Sequence, residues 1–471
     1  MKVTAAGFGD PILDAYYDQG LVFDLSDRLR PGSVRDQIVR GVMLVERAIE
    51  HRLISPERPL LVIGGGAAGM AAAITAVRLG CACVVLERID ASRPHEAVSA
   101  LFGRMANCQT RWVQPTLYEY PAHAWDEHRF PFAGRMDLPL SYEVGRAVEI
   151  VAGWQLEVAQ VASTGDLHMI PGVLLTKDDW HDDGVDFVIT NKALLNPLAV
   201  LPLVPNTFGM AIRAIGAGPE ATSVDESTYV SYRFWENDTL DHADFGLPAG
   251  SANRFLLSGS GDGTLQDALR LYFRPDVPLH ELMKQLLLPK GVQARLDRIE
   301  ASAGRQWLWN DVTSDCRMWR QLDEEHVALA TELVHRRSIR RTIRSQLRSR
   351  LPSVDIVLGC YHFANVYSLN RFAFWLLHEL LAHQNLPVPT LQFGCQTARI
   401  DSTATGESAA DFYKSPATVH VREGCQCGHG KTGAITLAGE YDAVLLRHGP
   451  RGMTTGRKRA ERRHLLPAIL F

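Results

Sequence analysis

The 471-residue sequence predicts an α/β fold organised by a parallel sheet. An apolar run at 61–63 is followed by glycines, an alanine-rich helical segment at 67–79 and a second apolar run at 83–86. This strand–helix–strand order is typical of a parallel β-sheet. Short apolar runs then alternate with turns as far as residue 258, and helical patterns dominate after about residue 276.

Three glycines join the first predicted strand to its helix with the spacing G-x-G-x-x-G. Gly64 permits a tight turn, Gly66 lets the backbone approach a pyrophosphate, and Gly69 lets the helix pack close to the strand. The N-terminus of the helix is where phosphates would bind. We call residues 64–69 the first glycine turn and predict that it binds a dinucleotide.

The second predicted strand ends at Glu87, eighteen residues after Gly69. This is close to the offset of about 20 residues at which an acid binds the ribose hydroxyls, and an acid there favours FAD or NAD over NADP. The residues expected to contact the dinucleotide in this part of the chain are Gly64, Gly66, Ala67, Ala68, Gly69, Glu87 and Arg88.

The composition is ordinary for globular proteins, with 46% hydrophobic and 22% charged residues. A net charge of −4 gives no general attraction to nucleic acid or to anionic membranes. No apolar run approaches the roughly 18 residues of a membrane span, and the N-terminus lacks the apolar core of a secretory signal. Eight scattered cysteines do not suggest a disulfide scaffold. We therefore expect a cytoplasmic protein that acts on a small molecule, without nucleic-acid or membrane partners, and that can form homo-oligomers.

Further elements follow from hydrophobic periodicity. Ser33 is a suitable N-cap for a helix that leads toward the first glycine turn, and residues 93–139 are rich in proline and aromatics, which predicts an irregular excursion. The other predicted helices lie within 142–161, 279–288, 334–351 and 369–383, and the later strands within 168–175, 185–189, 208–215, 228–234, 254–258, 354–359, 419–421 and 443–446.

Two later strands also end in glycine-rich turns. The strand at 208–215 leads into Gly216, and the strand at 254–258 leads into a turn that contains Gly259, Gly261, Asp262 and Gly263. Asp262 stands at the expected start of a helix, where its carboxylate could accept hydrogen bonds from hydroxyl groups. Both turns are therefore candidate ligand sites.

Together these three turns make the chain resemble the glutathione-reductase-like FAD flavoproteins. The FAD domain of that family carries an N-terminal glycine motif, a later strand that ends in an Ala-Thr-Gly-type turn, and a final strand that ends in Gly-Asp. Ala214-Ile215-Gly216 resembles the second signature, with Ile215 in place of threonine, and Gly261-Asp262 resembles the third. The resemblance covers about residues 58–270 and implies that Asp262 binds the ribityl chain of FAD, with Gly216, Gly261 and Gly263 beside it.

The turn at 259–263 permits a second interpretation. Its glycines lie between a strand and a helix, so they could instead form a second dinucleotide site that binds NAD(P)H. A purely structural turn is the third possibility. The sequence is compatible with all three.

The expected architecture is an α/β protein with a Rossmann-like FAD-binding domain, an inserted β-rich segment, and a mostly helical α/β C-terminal region. We place an N-terminal extension and helix at 1–57, the FAD-binding domain at 58–275 with an insertion at about 93–207, and a substrate or cap domain at 276–471. FAD is the expected cofactor, with NAD(P)H as a second nucleotide.

The leading functional hypothesis is an FAD-dependent oxidoreductase, an NAD(P)H-using monooxygenase of a small organic substrate. Cys81 and Cys83 lie on a predicted core strand, which argues against disulfide reduction by this pair. The F-x-G-x-x-x-H pattern usual in flavin monooxygenases is not intact. One alternative is a flavin oxidase or dehydrogenase of an amine or alcohol that needs no nicotinamide, and another is a dinucleotide-binding sensor or partner-binding protein without catalysis.

Catalytic residues are unknown from the sequence. Arg447, His448 and His362 follow predicted strands, where ligands commonly bind in α/β folds, although a structural role is the simpler interpretation for each. Cys425, Cys427 and His429 are weak candidates for a metal site, because three ligands with no second cluster rarely hold a metal. We expect no metal.

Overall fold

The structure is a computed structural model. It describes residues 8–449 apart from 27–32, 90–97, 99–100, 104, 114–137, 183, 192–193, 195–204, 217, 219, 225–226, 278, 288–290, 306–315, 360–361, 364–365 and 425–432. The described chain forms two compact units, of which the first contains the residues up to Gly218 and the second those that follow.

The first unit is built on a six-stranded sheet in the order β1–β2–β11–β3–β4–β7. All neighbouring strands are parallel except β1 and β2. Their bounds are β1 (Tyr17–Gln19), β2 (Val22–Asp24), β3 (Leu60–Ile63), β4 (Cys83–Leu86), β7 (Leu167–Ile170) and β11 (Met210–Arg213). The residues of β2 and β4 are buried throughout, which explains their nearly continuous apolar sequences.

Four helices and two small sheets complete the described part of this unit. The helices are α1 (Pro11–Tyr16), α2 (Val34–Glu50), α3 (Ala67–Arg78) and α4 (Ala147–Ala162). Antiparallel strands β8 (Trp180–Asp182), β9 (Phe187–Ile189) and β10 (Thr207–Phe208) form one sheet, and β5 (Trp112–Val113) pairs with β6 (Gly145–Arg146). The predicted N-cap is confirmed, because Ser33 and Asp36 form a reciprocal capping box at the start of α2.

The second unit contains a four-stranded parallel sheet in the order β14–β13–β12–β18. Its strands are β12 (Arg254–Ser258), β13 (Ser353–Leu358), β14 (Thr390–Phe393) and β18 (Ala443–Leu446). An antiparallel sheet of β15 (Cys395–Ser402), β16 (Ala417–Glu423) and β17 (Ile435–Tyr441) lies between β14 and β18 in the chain.

The helices of the second unit are α5 (Asp262–Tyr272), α6 (Leu279–Leu287), α7 (Val292–Arg305), α8 (Cys316–Val334), α9 (Arg337–Arg344), α10 (Ser368–His383) and α11 (Ala409–Tyr413). Most of the buried apolar side chains of α5, α8 and α10 belong to one hydrophobic core with β12 and β13. The second unit is therefore an α/β domain with its own core.

Both units share a four-stranded parallel arrangement. In the first sheet the strands lie in the order β7–β4–β3–β11, and in the second sheet they lie in the matching order β14–β13–β12–β18. In each, a three-stranded antiparallel sheet precedes the last strand. This confirms the expected Rossmann-like α/β fold and shows that the chain contains it twice.

The structure differs from the sequence-based boundaries in two places. Strand β2 of the predicted N-terminal extension pairs with β11, so the extension is part of the first sheet. Strand β12 pairs with β13 and β18, which places residues 254–275 in the second unit rather than at the end of the first.

Two predicted elements are wrong. Residues 228–234 are not a strand; the side chains of Tyr229 and Ser231 instead donate hydrogen bonds to the carbonyl of Val444, so the segment packs against β18 without forming a ladder. The helix predicted at 334–351 is confined to α9, and beyond it Leu347 makes an isolated bridge with Phe273.

Candidate functional site

The first glycine turn has the close backbone contacts that its glycines predict. Gly64 has φ +110°, and a Cβ atom there would lie 2.6 Å from the carbonyl oxygen of Ala214. A Cβ atom on Gly69 would lie 2.0 Å from the carbonyl oxygen of Gly64. Any side chain at either position would push these backbone segments apart, so both glycines are required by packing.

Gly66 faces open space instead. No atom lies within 4 Å of the position that its Cβ would take. Gly66 is the N-cap of α3, and no described side chain caps this helix. The amides of Ala67 and Ala68 are in the first turn, where helix N–H groups lack partners within the helix. The turn thus leaves a bare, electropositive helix end that fits a pyrophosphate.

Glu87 lies beside this turn, directly after β4. Its Oε2 accepts a hydrogen bond from the amide of Gly65 at 2.7 Å, and its Oε1 accepts one from the amide of Ile89 at 2.9 Å. Each carboxylate oxygen can accept a second hydrogen bond, so Glu87 can still bind ribose hydroxyls. The neighbouring Arg88 is exposed.

Gly216 follows β11, the strand next to β3. It has φ +73° and is exposed, and a Cβ atom on it would meet no atom within 4 Å. The preceding Ile215 donates its amide hydrogen bond to Ser26 Oγ at 2.7 Å, and its side chain is 60% exposed. The turn after β11 therefore lies at the same edge of the sheet as the first glycine turn.

A second glycine turn, residues 259–264, repeats the geometry of the first. Gly259 has φ +144°, and a Cβ atom there would lie 2.4 Å from the carbonyl oxygen of Arg447, the residue after β18. Gly261 is the N-cap of α5, no described side chain caps that helix, and the position of a Cβ atom on Gly261 is open. Gly259 and Gly261 thus correspond to Gly64 and Gly66.

The third position of the second turn differs from the first. Thr264 stands five residues after Gly259, where Gly69 stands after Gly64. Its side chain is fully buried, and Oγ1 has no hydrogen-bond partner among the described residues. Helix α5 therefore leaves room for the side chain of Thr264, whereas α3 leaves no room for a side chain at Gly69.

Asp262 is held by the structure of the second unit. Its Oδ1 accepts hydrogen bonds from the amide of Tyr367 at 3.0 Å and from Nδ2 of Asn370 at 2.6 Å. These contacts join the start of α5 to the start of α10. Gly261 is the N-cap of α5, and Asp262 and Gly263 are its first residues; all three follow β12 and not a strand of the sheet that contains the first glycine turn.

Arg447 is a buried structural group. Its guanidinium donates from Nε to Asp267 Oδ2 at 2.7 Å and from Nη1 to the carbonyl of Tyr232. Its side chain is 3% exposed, and that of Asp267 is fully buried. Arg447 therefore anchors α5 and offers little surface to a substrate. The next residue, His448, is exposed, and its Nε2 lies 2.7 Å from Ser258 Oγ.

His362 is fully buried, and neither ring nitrogen has a hydrogen-bond partner among the described residues. Its ring stacks on Trp319 with an interplanar angle of 8°. Burial, with a smaller contribution from the positive charge of Arg371, lowers the pKa of His362 to about 4. A neutral, enclosed imidazole is unsuited to exchanging protons with solvent.

The candidate metal ligands Cys425, Cys427 and His429 lie outside the described residues. In the part of the chain that the structure describes, no group of three or more metal-ligating side chains occurs. Cys81 and Cys83 are buried, and burial raises the pKa of both thiols. Among the described helices, none is long and apolar enough to span a membrane.

Several contacts of the second unit could not be read from the sequence. Asn370 and Tyr367 reach Asp262 only because α10 begins beside α5, about 105 residues later in the chain. The hydrogen bond between Ser258 and His448 depends on the pairing of β12 with β18. The sequence indicates only that Ser258 ends one predicted strand and that His448 follows another.

A family model described as an FAD binding domain matches residues 60–109, which contain the first glycine turn and Glu87. The structure is similar to the thioredoxin reductase of Lactococcus lactis, with 11% identity, 83% of this chain and 77% of that chain covered, and a TM-score of 0.36. It is also similar to the bacillithiol disulfide reductase of Bacillus cereus, with 11% identity, coverage of 83% and 78%, and a TM-score of 0.39. No curated protein sequence matches the chain.

The strand order of the two units shows the α/β fold. The match over residues 60–109 indicates FAD binding at the first glycine turn. FAD, the expected cofactor, is thus supported by the family match.

Proposed function

We propose that this protein is an FAD-dependent oxidoreductase that NAD(P)H reduces, with FAD at the first glycine turn and the nicotinamide nucleotide at the second. The observation that carries the proposal is the repetition of one geometry. Gly66 and Gly261 each leave the N-terminus of a helix open. The strand before each helix, β3 or β12, pairs with the strand of its sheet that comes last in the chain, β11 or β18. A helix end of this kind fits the pyrophosphate of a dinucleotide.

The residues of the first unit fit FAD in distinct ways. The amides at the start of α3 would bind the pyrophosphate, and Glu87 would bind the adenosine ribose. Gly216 would allow the ligand to approach the end of β11. FAD, when bound, supplies the redox chemistry, and the protein orients it and shapes the substrate pocket.

We further propose that the reaction is the monooxygenation of a small organic substrate. The buried thiols of Cys81 and Cys83, whose pKa values are raised, do not suit thiol–disulfide exchange, which needs an accessible thiolate. In this reaction NAD(P)H and the substrate supply the electrons for O₂, with one oxygen atom entering the product and the other leaving as water.

The test compares matched glycine variants. Gly66→Val should abolish FAD retention, whereas Gly261→Val should keep FAD and lose the reduction of flavin by NADPH or NADH under anaerobic conditions. Gly153→Val, at an open position of α4, is the control and should change neither property. Flavin absorbance of the purified protein and its bleaching on anaerobic mixing are the two measurements.

Each outcome has a defined meaning. A colourless protein that does not bind added FAD would contradict an enzymatic role. A yellow protein that neither NADPH nor NADH reduces would favour direct oxidation of an amine or alcohol. If Gly261→Val is reduced as fast as the unaltered protein, the second glycine turn is not the nicotinamide site. Consumption of O₂ without an oxygenated product would contradict monooxygenation.

A further inference from the structure

A strongly basic stretch of the second unit has no part in the proposed function. Residues 333–354 contain seven arginines and no lysine, aspartate or glutamate. All of these residues are described, and they include helix α9 and the segment that leads into β13. Arginine stays protonated in proteins, so the stretch carries seven positive charges in a chain whose net charge is −4.

Four of the seven arginines are bonded within the second unit. Arg336 pairs with Glu332, which belongs to α8. Arg340, Arg348 and Arg350 donate hydrogen bonds to backbone carbonyl groups, and Arg348 is buried. These four guanidinium groups therefore already have partners in the fold.

The other three, Arg337, Arg341 and Arg344, are exposed on one side of α9, and we call them the arginine face. Their spacing of four and three residues aligns them over about 10 Å of the helix axis. On the opposite side, Ile339 and Ile343 are buried in the hydrophobic core of the second unit, which fixes the orientation of the helix. Among the described residues, no carboxylate pairs with any of these three arginines.

The negative net charge of the chain does not cancel this local charge. The Debye length is about 8 Å at physiological ionic strength, so a ligand on α9 is largely screened from acids elsewhere on the chain. The acid that precedes the stretch, Glu332, pairs with both Arg295 and Arg336. The weak general attraction to nucleic acid that the net charge implies therefore does not extend to the arginine face.

The groups around the arginine face suit the phosphates of a duplex. Guanidinium groups bind phosphate oxygens through paired N–H···O hydrogen bonds, and serine hydroxyls are further phosphate contacts. Ser338 and Ser345 are exposed on the same helix and directly after it. Residues 333–354 contain no phenylalanine, tyrosine or tryptophan, so they offer no such ring for stacking the bases of a single strand.

A protein or a membrane fits this surface less well. The centre of a protein interface is apolar, whereas residues 333–354, all of them described, include no exposed large apolar side chain. A helix that lies on a bilayer inserts its apolar side, and that side of α9 is buried in the core. A surface that offers charge without apolar contact matches the sugar–phosphate backbone of a duplex.

We propose that the arginine face binds the phosphate backbone of double-stranded nucleic acid. This inference goes beyond the proposed function and depends on neither glycine turn. Each of the three guanidinium groups contacts a phosphate and releases counterions, so binding weakens as the salt concentration rises. Phosphate contacts carry no sequence information, so duplexes of equal length and different sequence should bind equally well.

The test measures the Kd of the purified 471-residue chain for a fluorescently labelled 20-base-pair DNA duplex, by fluorescence anisotropy at several salt concentrations. The triple variant Arg337→Gln/Arg341→Gln/Arg344→Gln should weaken the Kd by about tenfold or more at 50 mM salt. It should also reduce the slope of log K against log salt by about 2 to 3, because each phosphate contact contributes about 0.9.

This variant should keep its fold. Glutamine and arginine have similar helix propensities, and Arg344 loses only a hydrogen bond to the side chain of Gln384. The Tm and the FAD content should therefore equal those of the unaltered protein. A duplex Kd and salt slope that are unchanged in the triple variant would overturn the proposal.

A second triple variant is the matched control. Arg78→Gln/Arg320→Gln/Arg399→Gln removes three exposed arginines that each pair with a carboxylate, and it lowers the net charge by the same amount. It should leave the Kd and the salt slope nearly unchanged. Equal weakening in both triple variants would show that only the total charge matters, and the arginine face would not be a binding site.

Other anionic partners give different results. Failure of the unaltered protein to bind the duplex at 50 mM salt would overturn the proposal. If the protein instead binds phosphatidylserine vesicles or polyglutamate, and only the arginine-face variant loses that binding, the face serves a membrane or an acidic protein. Kd values that differ by more than tenfold between two duplexes of unrelated sequence would contradict binding through phosphates alone.

Discussion

Glu87 is hydrogen-bonded to the first glycine turn: its Oε2 accepts the amide hydrogen of Gly65 at 2.7 Å. The same carboxylate accepts the amide of Ile89 through its other oxygen. Two backbone donors thus fix its orientation without a cofactor. An acceptor that is already ordered loses less conformational entropy when it binds a ribose.

Replacing Glu87 should therefore weaken FAD binding more than it weakens the fold. We expect Glu87→Ala to raise the Kd for FAD by about tenfold to a hundredfold, because hydrogen bonds that involve a charged group contribute about 1.5–3 kcal/mol. Glu87→Gln should have a smaller effect, since its amide oxygen can still accept. Flavin content and titration of the apoprotein with FAD measure the change. Glu50→Ala, at the exposed end of α2, is the control; equal losses in both variants would show that Glu87 has no specific role.

Replacing Gly69 should lower the stability of the protein, whereas replacing Gly66 should lower its affinity for FAD. A methyl group on Gly69 would lie 2.0 Å from a backbone oxygen, so Gly69→Ala should lower the Tm even without FAD. Gly66→Ala meets no atom within 4 Å and should leave the Tm of the apoprotein nearly unchanged while reducing FAD affinity. Differential scanning calorimetry with and without FAD separates the two effects, and an unchanged Tm in Gly69→Ala would refute the close packing of α3.

Arg447 is expected to stabilise the second unit rather than to take part in the reaction. Arg447→Met removes the nearer of the two arginines that pair with the buried carboxylate of Asp267, the other being Arg270 at 3.5 Å. Breaking a buried ion pair in this way costs about 3–5 kcal/mol of unfolding free energy. The double variant Arg447→Met/Asp267→Leu should recover much of that loss. Urea unfolding measures both variants; a fully stable single variant that has lost activity would instead assign Arg447 to catalysis.

The first glycine turn could be predicted from the sequence because each requirement is local. Gly64, Gly66 and Gly69 occur within six residues, and Glu87 follows the next strand. The bounds of β12, 254–258, were also predicted from its apolar run. Local steric requirements and short apolar runs are what a single sequence records most directly.

The duplication of the fold could not be predicted in this way. Helices α5 to α9 separate β12 from its partner β13, so the pairing depends on contacts between residues about 100 positions apart. Thr264 also stands where the third glycine would be, so the second turn matches the G-x-G-x-x-G pattern only in part. Because the sequence does not show that β12 pairs with β13 and β18, residues 259–263 could be assigned either to the end of the first domain or to the beginning of the second.

Two buried histidines of the second unit should make it sensitive to acid. Burial, with a smaller contribution from Arg371, lowers the pKa of His326 to about 3, although a hydrogen bond to the carbonyl of Leu322 partly opposes this. The same two causes lower the pKa of His362 to about 4. Both rings are therefore neutral in the folded protein at pH 5, whereas in the unfolded chain they protonate near pH 6.5.

The sign of the pH effect follows from proton binding. Below pH 6.5 the unfolded chain binds more protons than the folded protein, so the free energy of unfolding falls as the pH falls. The loss continues to about pH 4 for His362 and to about pH 3 for His326, with a slope of up to about 1.4 kcal/mol per pH unit for each ring. His362→Phe keeps an aromatic ring on Trp319 and removes two nitrogens that have no partner among the described residues, so it should reduce the slope between pH 6.5 and 4. Urea unfolding at pH 7.5, 6 and 5 measures this, with His420→Gln, at a partly exposed histidine, as the control; an unaltered slope in His362→Phe would show that His362 is not buried in its neutral form.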